Sequence, residues 1–177
     1  MLNFVWFRED LRIHDHTALH QASLYPNAQI IGLYVIDSSM WHEHHTAACR
    51  VNFILEGLKE LKLSLAKLNI PLLVSSVKNT AEIPTEIYKI LTQHKAEALF
   101  FNKRYEFNEA KVDALVTEHL QAKNIECHRY DDQFILVPGS IHNKQGDYFK
   151  VFTAFKRRWM QAYLERGGVK VLLAPKR

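Results

Sequence analysis

LNFVWFREDLRIHDHTAL, residues 2–19, opens with six residues that are nearly all apolar or aromatic. An unbroken apolar run of this length predicts a strand buried on both faces, the central strand of a parallel sheet. Five of the eight residues Arg8–Asp15 are charged, and a helix with Asp15 as its N-cap is predicted to follow. This order of strand, charged turn and helix places the turn at the carboxyl edge of an open α/β sheet, where such folds bind ligands.

The charged turn allows two interpretations. Arg8, Asp10 and Arg12 could form a cluster that faces a ligand or a second domain. They could equally belong to a solvated turn with local ion pairs, because exposed pairs are common and weak. The turn contains no glycine. Dinucleotide fingerprints and P-loops need glycine there for close approach to phosphate, so neither class of site is expected.

Strands and helices are predicted to alternate along the next hundred residues. Apolar runs predict strands at residues 30–36, 72–77 and 98–101, and a fifth strand is predicted at 126–130. Helical spacing predicts helices at 47–68, 82–94 and 108–123. Residues 37–46 are expected to form a polar loop. Because crossovers between parallel strands are right-handed, the pattern predicts a Rossmann-like, doubly wound five-stranded parallel sheet. The expected strand order is 3-2-1-4-5, with helices on both faces.

Charge is distributed unevenly along the 177 residues. The net charge is +4, yet residues 1–149 hold 15 basic and 18 acidic residues, while the tail from Lys150 holds eight basic residues and one acid. The main body therefore lacks the basic excess that usually accompanies nucleic-acid binding. No apolar run is long enough for a membrane span, and no signal peptide is predicted. The two cysteines lie far apart in sequence and are expected to be free thiols. A cytoplasmic protein is expected.

The alternation of strands and helices stops near residue 131. We expect an α/β domain over residues 1–131, followed over 132–177 by the start of a linker with one amphipathic helix. Phe152, Phe155, Trp159 and Tyr163 form an apolar stripe on that helix. The stripe is expected to pack on the α/β body or on a neighbouring chain, giving weak self-association. The chain is expected to continue past Arg177.

Two groups of polar residues are candidate sites. His42, His44 and His45, near Cys49, could bind a metal, lie in a solvated loop or donate hydrogen bonds to a ligand. Asn108 and Glu109 begin the helix that follows strand four. They could cap that helix and complement its dipole, or bind the donor and acceptor edge of a pterin or purine.

Four segments resemble the amino-terminal antenna domain of DNA photolyases and cryptochromes. They are Val5–Asp15 (VWFREDLRIHD), Asn102–Glu109 (NKRYEFNE), Asp131–Gly139 (DDQFILVPG) and Tyr148–Thr153 (YFKVFT), which agree with the family in order and spacing. In that family an all-helical domain follows and holds the FAD that repairs pyrimidine dimers. Nothing in this chain corresponds to that domain, so no residue here is expected to be catalytic.

The resemblance implies a light-harvesting role. In folate-binding bacterial photolyases a loop His and an Asn-Glu pair contact the pterin of methenyltetrahydrofolate, and His44, Asn108 and Glu109 fall at the matching positions. The leading hypothesis is thus the antenna domain of a deoxyribodipyrimidine photolyase. Its implied partners are the FAD-binding helical domain and, through the full-length protein only, damaged DNA. The alternatives are a cryptochrome-type blue-light sensor and a free-standing nucleotide- or folate-binding protein.

Overall fold

Strand β1, Leu2–Phe7, lies at the centre of a five-stranded sheet. The computed structural model describes residues 1–176. The other strands are β2 (Gln29–Asp37), β3 (Leu72–Val77), β4 (Ala98–Asn102) and β5 (Glu126–Tyr130). Every pair of neighbours is parallel, and the strand order is β3-β2-β1-β4-β5. The predicted topology is therefore confirmed.

Six α-helices connect and follow the strands in the part of the chain that the structure describes. They are α1 (Thr17–Ser23), α2 (Ser38–Glu43), α3 (Ala48–Ala66), α4 (Ile83–Gln93), α5 (Phe107–Gln121) and α6 (Phe152–Glu165). A short 3₁₀ turn, Thr80–Glu82, precedes α4. Within residues 1–176, no helix is both long enough and apolar enough to cross a membrane.

The apolar core lies on both faces of the sheet because side chains alternate along each strand. Phe4 and Trp6 of β1 pack on one face, in a cluster that includes apolar side chains of α4 and α5. Val5 and Phe7 pack on the other face, with side chains of α1 and α3. Burial on both faces explains why β1 is apolar at nearly every position, and it confirms the central placement predicted for this strand.

The predicted N-cap of α1 is wrong by one residue. His16 caps the helix, since its Nδ1 accepts a hydrogen bond from the Leu19 N–H at 3.1 Å. Asp15 has a left-handed backbone, with φ of 50°, and its carboxylate accepts from the N–H of Leu172 at 3.1 Å. The Asp15 N–H in turn donates to the carbonyl of Leu172 at 2.7 Å. The hydrogen bond with Leu172, which is distant in sequence, thus engages the Asp15 side chain that the local pattern predicted to cap the helix.

The chain divides into two compact units. The first comprises Met1–Tyr130 together with residues 172–176, and the second comprises Asp131–Val171. Residues 131–148 contain no strand. Within the second unit, Phe155 and Trp159 of α6 line an apolar cavity of about 380 Å³. Packing of α6 on a neighbouring chain stays a prediction, and Arg177, the end of the expected linker, lies outside the described residues.

Candidate functional site at the carboxyl edge of the sheet

Two adjoining depressions lie at the carboxyl edge of the sheet in the first unit. The inner cavity has a volume of about 100 Å³ and is lined by Trp6, Arg8, Glu9, Tyr34, Val35, Asp37, Met40, Trp41, Ile54, Thr80, Ile83, Arg104, Glu109 and Val112. The outer cleft has a volume of about 310 Å³ and is lined by Met40, Glu43, His44, Thr80, Ala81, Asn108, Lys111, Val112 and Leu115. Met40, Thr80 and Val112 line both, so the two depressions share a wall.

The three sequence-predicted site residues lie at these two depressions. His44 and Asn108 both line the outer cleft, although 64 residues separate them in sequence, and Glu109 lines the inner cavity. His44 and Asn108 are exposed, and Glu109 is half-buried. Within residues 1–176, none of the three side chains has a hydrogen-bond or ion-pair partner. Their polar atoms are therefore available to a ligand.

The capping interpretation of Asn108 is wrong. Helix α5 begins at Phe107 with Glu106 at its N-cap position, and no side chain caps it. Asn108 is the second residue of the helix, so its amide performs no capping. Glu109 lies in the first turn, where a carboxylate complements the helix dipole. A role in stabilising the start of α5 therefore remains possible for Glu109 but not for Asn108.

The expected polar loop at residues 37–46 contains helix α2. Asp37 caps this helix because one carboxylate oxygen accepts hydrogen bonds from the N–H groups of Ser39 and Met40 at 3.1 and 3.2 Å. Its other carboxylate oxygen accepts from the hydroxyl of Thr80. His44 follows directly, and its N–H donates to the carbonyl of Met40 at 3.0 Å. Asp37 thereby fixes the segment that carries His44.

Replacing Asp37 with Ala should destabilise this segment. Loss of an N-cap costs about 0.5–2 kcal/mol, and here the Thr80 hydroxyl also loses its acceptor. We expect faster hydrogen exchange at the N–H groups of Ser39, Met40 and His44, measured by NMR, with β5 unaffected. Asp37→Asn is the matched control, because asparagine caps helices about as well as aspartate. Equal exchange rates in wild type and Asp37→Ala would contradict this role.

Within the charged turn after β1, the side chains of Arg8 and Asp10 are mostly buried, whereas Glu9 and Arg12 are exposed. The guanidinium of Arg8 forms an ion pair with Asp113 of α5 and donates to the carbonyl of Asn102 at the end of β4. It also lies over two aromatic rings, 4.4 Å from the centroid of Trp6 and 5.0 Å from that of Phe101. The solvated-turn interpretation of Arg8 is therefore wrong: Arg8 joins the turn to β4 and α5, and it also lines the inner cavity.

Asp10 and Asn102 complete this buried network. Asp10 accepts from the Arg8 N–H at 2.8 Å and from the Asn102 amide at 2.8 Å. His16 Nε2 lies 3.0 Å from the Asp10 carboxylate. Because His16 Nδ1 accepts from the Leu19 N–H, the ring proton resides on Nε2 and is donated to Asp10. Arg12 instead donates to the carbonyl of Asp15, at 2.7 and 3.1 Å.

Burial and charge act in opposite directions on the pKa values of this network. Burial alone would raise the pKa of Asp10, but the hydrogen bond from His16 and the contacts with Arg8 hold that pKa well below its usual range. For Asp113, burial outweighs the attraction of Arg8 and raises the pKa. Burial likewise lowers the pKa of Arg8 despite the carboxylates of Asp113 and Asp10. The Arg8–Asp113 pair is therefore a desolvated one.

Sequence reasoning did not identify Asn102 or Asp113 as parts of this edge. Asn102 is the last residue of β4, and its side-chain oxygen accepts from the Ala18 N–H at 3.0 Å. Asp113 accepts from the Arg104 N–H at 3.0 Å. The available signal was an acid on the apolar face of α5, one turn after Glu109. Within residues 1–176, no group of three or more His, Cys, Asp or Glu residues is arranged to hold a metal ion.

Fold and edge together define a doubly wound α/β domain with a polar, partly aromatic binding edge. A family model described as DNA photolyase matches residues 3–175. The chain belongs to the DNA photolyase family.

Curated relatives support this assignment over part of their length. The chain is 37% identical over 164 residues to a deoxyribodipyrimidine photo-lyase of Salmonella typhimurium (strain LT2) and 35% identical over 162 residues to that of Vibrio cholerae serotype O1. Each match covers 92% of this chain and 34% of the relative. The chain therefore spans about a third of the length of these relatives.

Solved structures show the same fold. A cryptochrome of Synechocystis sp. PCC6803 matches with a TM-score of 0.82 and 26% identity, covering 99% of this chain and 36% of the cryptochrome. A class III photolyase from Agrobacterium tumefaciens matches with a TM-score of 0.72 and 21% identity, covering 98% of this chain and 34% of that one. The α/β architecture is thus shared with a photolyase and with a cryptochrome.

Proposed function

We propose that this chain is the light-harvesting, pigment-binding domain of a deoxyribodipyrimidine photolyase. The observation that carries the proposal is the convergence of His44 and Asn108 on one cleft beside Glu109, with all three side chains unpartnered among residues 1–176. Family membership supplies the context. The pigment would absorb light and pass excitation to a flavin held by another part of the protein.

Methenyltetrahydrofolate is the proposed pigment. A pterin presents hydrogen-bond donors and acceptors along one edge, which a carboxylate and an amide can satisfy together. Glu109 would accept from the amino edge of the pterin, Asn108 would add a second polar contact, and His44 would flank the ring. The outer cleft, about 310 Å³, is of the size that binds small molecules. The residues present therefore fit the ligand.

Other activities belong to the proposed full-length protein. We assign FAD, the helical domain that holds it and pyrimidine-dimer DNA to the full-length protein; this chain spans about a third of the length of its relatives. A second candidate function is that of a cryptochrome-type light sensor, which the similarity to the Synechocystis cryptochrome favours. Light-dependent dimer repair by the full-length protein would support the photolyase, and photochemistry without repair would support the sensor.

Replacing Glu109 with Ala should weaken folate binding about ten- to hundredfold. A hydrogen bond to a charged group contributes about 1.5–3 kcal/mol, which corresponds to this change in affinity. The measurement is a fluorescence titration with methenyltetrahydrofolate, performed on this chain and on the full-length protein.

Glu118→Ala is the matched control for this titration. Glu118 is an exposed carboxylate of the same helix that lines neither depression, so its removal should leave affinity unchanged. Unchanged affinity in Glu109→Ala of the full-length protein would refute the site, leaving the dipole contact as the only role of Glu109.

A further inference from the structure

The chain leaves the first unit after Tyr130 and returns to it at Leu172. Two hydrogen bonds with Asp15, in the turn before α1, mark the point of return. The Asp15 N–H donates to the carbonyl of Leu172 at 2.7 Å, and the Leu172 N–H donates to the Asp15 carboxylate at 3.1 Å. Both polar groups of the Leu172 backbone are therefore satisfied by one residue, which lies 157 positions earlier in the chain. We call this pair of hydrogen bonds the Asp15 clasp.

Asp15 has a backbone conformation that residues other than glycine seldom adopt. Its φ of 50° lies in the left-handed region, which is costly for most side chains and less so for Asp and Asn. Asn69, Lys95 and Asn124 also have positive φ, but each lies just after the end of a helix, where a left-handed residue is common. Asp15 lies before α1, so that explanation does not apply to it. We infer that the clasp is the reason, since this conformation brings the N–H and the carboxylate of Asp15 to the same partner residue.

The turn that carries Asp15 is held firmly by its neighbours. The guanidinium of Arg12 donates two hydrogen bonds to the Asp15 carbonyl, at 2.7 and 3.1 Å. The next residue, His16, is only 1% exposed, caps α1 and lies 3.0 Å from the Asp10 carboxylate. An uncommon backbone conformation persists only where the surrounding structure fixes it, and these contacts do so. The Asp15 side of the clasp is therefore anchored in the core of the first unit.

The returning segment, residues 172–176, is held much more weakly. It contains no helix or strand, and its half-buried residues are Leu172, Ala174 and Pro175. Among the residues that the structure describes, this segment forms hydrogen bonds with Asp15 alone. Segments with few buried contacts open locally at a lower free energy than the whole domain unfolds. Release of residues 172–176 should therefore depend mainly on the clasp.

We propose that the Asp15 clasp is a conformational device that fastens residues 172–176 to the first unit and opens while both units stay folded. With the clasp closed, residues 131–171 are joined to the first unit at both ends. With the clasp open, they are joined to it at Tyr130 alone. No residue of the clasp lines either depression at the carboxyl edge, so this proposal does not depend on the proposed function.

Hydrogen exchange of the Leu172 N–H, followed by NMR in the 177-residue chain, measures the opening of the clasp. In Asp15→Ala this N–H loses its acceptor, and we expect it to exchange at least fivefold faster. Asp15→Asn should stay within twofold of wild type, because the side-chain oxygen of Asn can accept the same hydrogen bond and Asn tolerates the left-handed backbone. His14→Ala is the matched control: His14 is an exposed residue of the same turn, and its replacement should leave the exchange rate unchanged.

Limited proteolysis with trypsin gives an independent readout. Cleavage of a folded protein follows the population of its locally opened form, and the exposed Lys170 lies two residues before Leu172. Cleavage after Lys170 should therefore be at least fivefold faster in Asp15→Ala than in wild type. Cleavage after Lys156, which lies within α6, should not change. Mass spectrometry of the fragments identifies each site.

Asp15→Gly distinguishes the lost hydrogen bond from backbone strain. Glycine adopts positive φ without steric cost but has no carboxylate, so this variant should also show faster exchange at Leu172, and it serves should Asp15→Ala fail to fold. Thermal unfolding monitored by circular dichroism verifies that each variant folds. Equal exchange at Leu172 in wild type and both variants would overturn the clasp. An equal acceleration of exchange in β1, or of cleavage after Lys156, would overturn it as well, because the whole domain would then have lost stability.

Discussion

Replacing Arg8 with Ala is expected to lower the free energy of unfolding by about 3–5 kcal/mol, the usual cost of removing one partner of a buried ion pair. The side chains of Arg8 and Asp113 are 15% and 5% exposed, so water cannot replace the lost guanidinium fully. The carbonyl of Asn102 would lose a donor at the same time. Urea denaturation of the 177-residue chain measures the loss.

The penalty of Arg8→Ala should depend on pH. Burial already raises the pKa of Asp113, and removal of Arg8 takes away the largest opposing contribution. A carboxyl whose pKa is higher in the folded state than in the unfolded state favours folding below its unfolded pKa. That contribution is lost as pH rises through the folded pKa. The penalty should therefore be small below about pH 4 and should grow toward neutral pH.

Two controls distinguish the loss of the buried Arg8–Asp113 pair from the general effect of removing a charged side chain. Arg50→Ala removes an arginine that is 63% exposed and pairs with Glu9, and it should cost less than about 1 kcal/mol. The double variant Arg8→Met with Asp113→Leu should recover most of the stability, because apolar residues of similar volume replace buried pairs with little loss. Equal losses from Arg8→Ala and Arg50→Ala would show that the buried pair has no special role.

The sequence predicted the sheet because its signal is local. β1, β3 and β5 begin and end at the predicted residues, and the predicted helices α3, α4 and α5 differ from the observed ones by only one or two residues at each end. Predictions from the local sequence were wrong where a residue distant in sequence forms hydrogen bonds with the same side chain. Asp15 has the chemistry of an N-cap, but its pairing with Leu172, 157 residues away, gives that role to His16.

The candidate site was predictable only in part, for the same physical reason. Proximity of the segments after β2 and β4 follows from topology, so the approach of His44 to Asn108 could be anticipated. The burial of Arg8 within the charged turn could not be anticipated. Arg8 is buried because Asp113 and Asn102, 105 and 94 residues away, satisfy it. Helix α2 has only six residues, too few for a helical period to stand out, although the sequence Asp37-Ser38-Ser39 at its start is typical of a helix N-terminus.

Phe101→Ala is expected to lower the free energy of unfolding by about 3–5 kcal/mol, the usual cost of deleting a buried aromatic ring. Phe101 is fully buried, and its ring lies edge-on to Trp6 with centroids 5.3 Å apart. The guanidinium of Arg8 lies over the same ring. Loss of the ring would therefore open a cavity and free two side chains that line the inner cavity.

Phe107→Ala is the matched control for this measurement. Phe107 is 84% exposed at the first residue of α5, so removal of its ring should change stability by about 0.5 kcal/mol or less. Because the ring of Phe101 packs against Trp6 and Arg8, Phe101→Ala should also shift the Trp6 indole N–H signal, whereas Phe107→Ala should not. Comparable losses of stability in the two variants, measured by urea denaturation, would contradict the placement of Phe101 in the core beneath the binding edge.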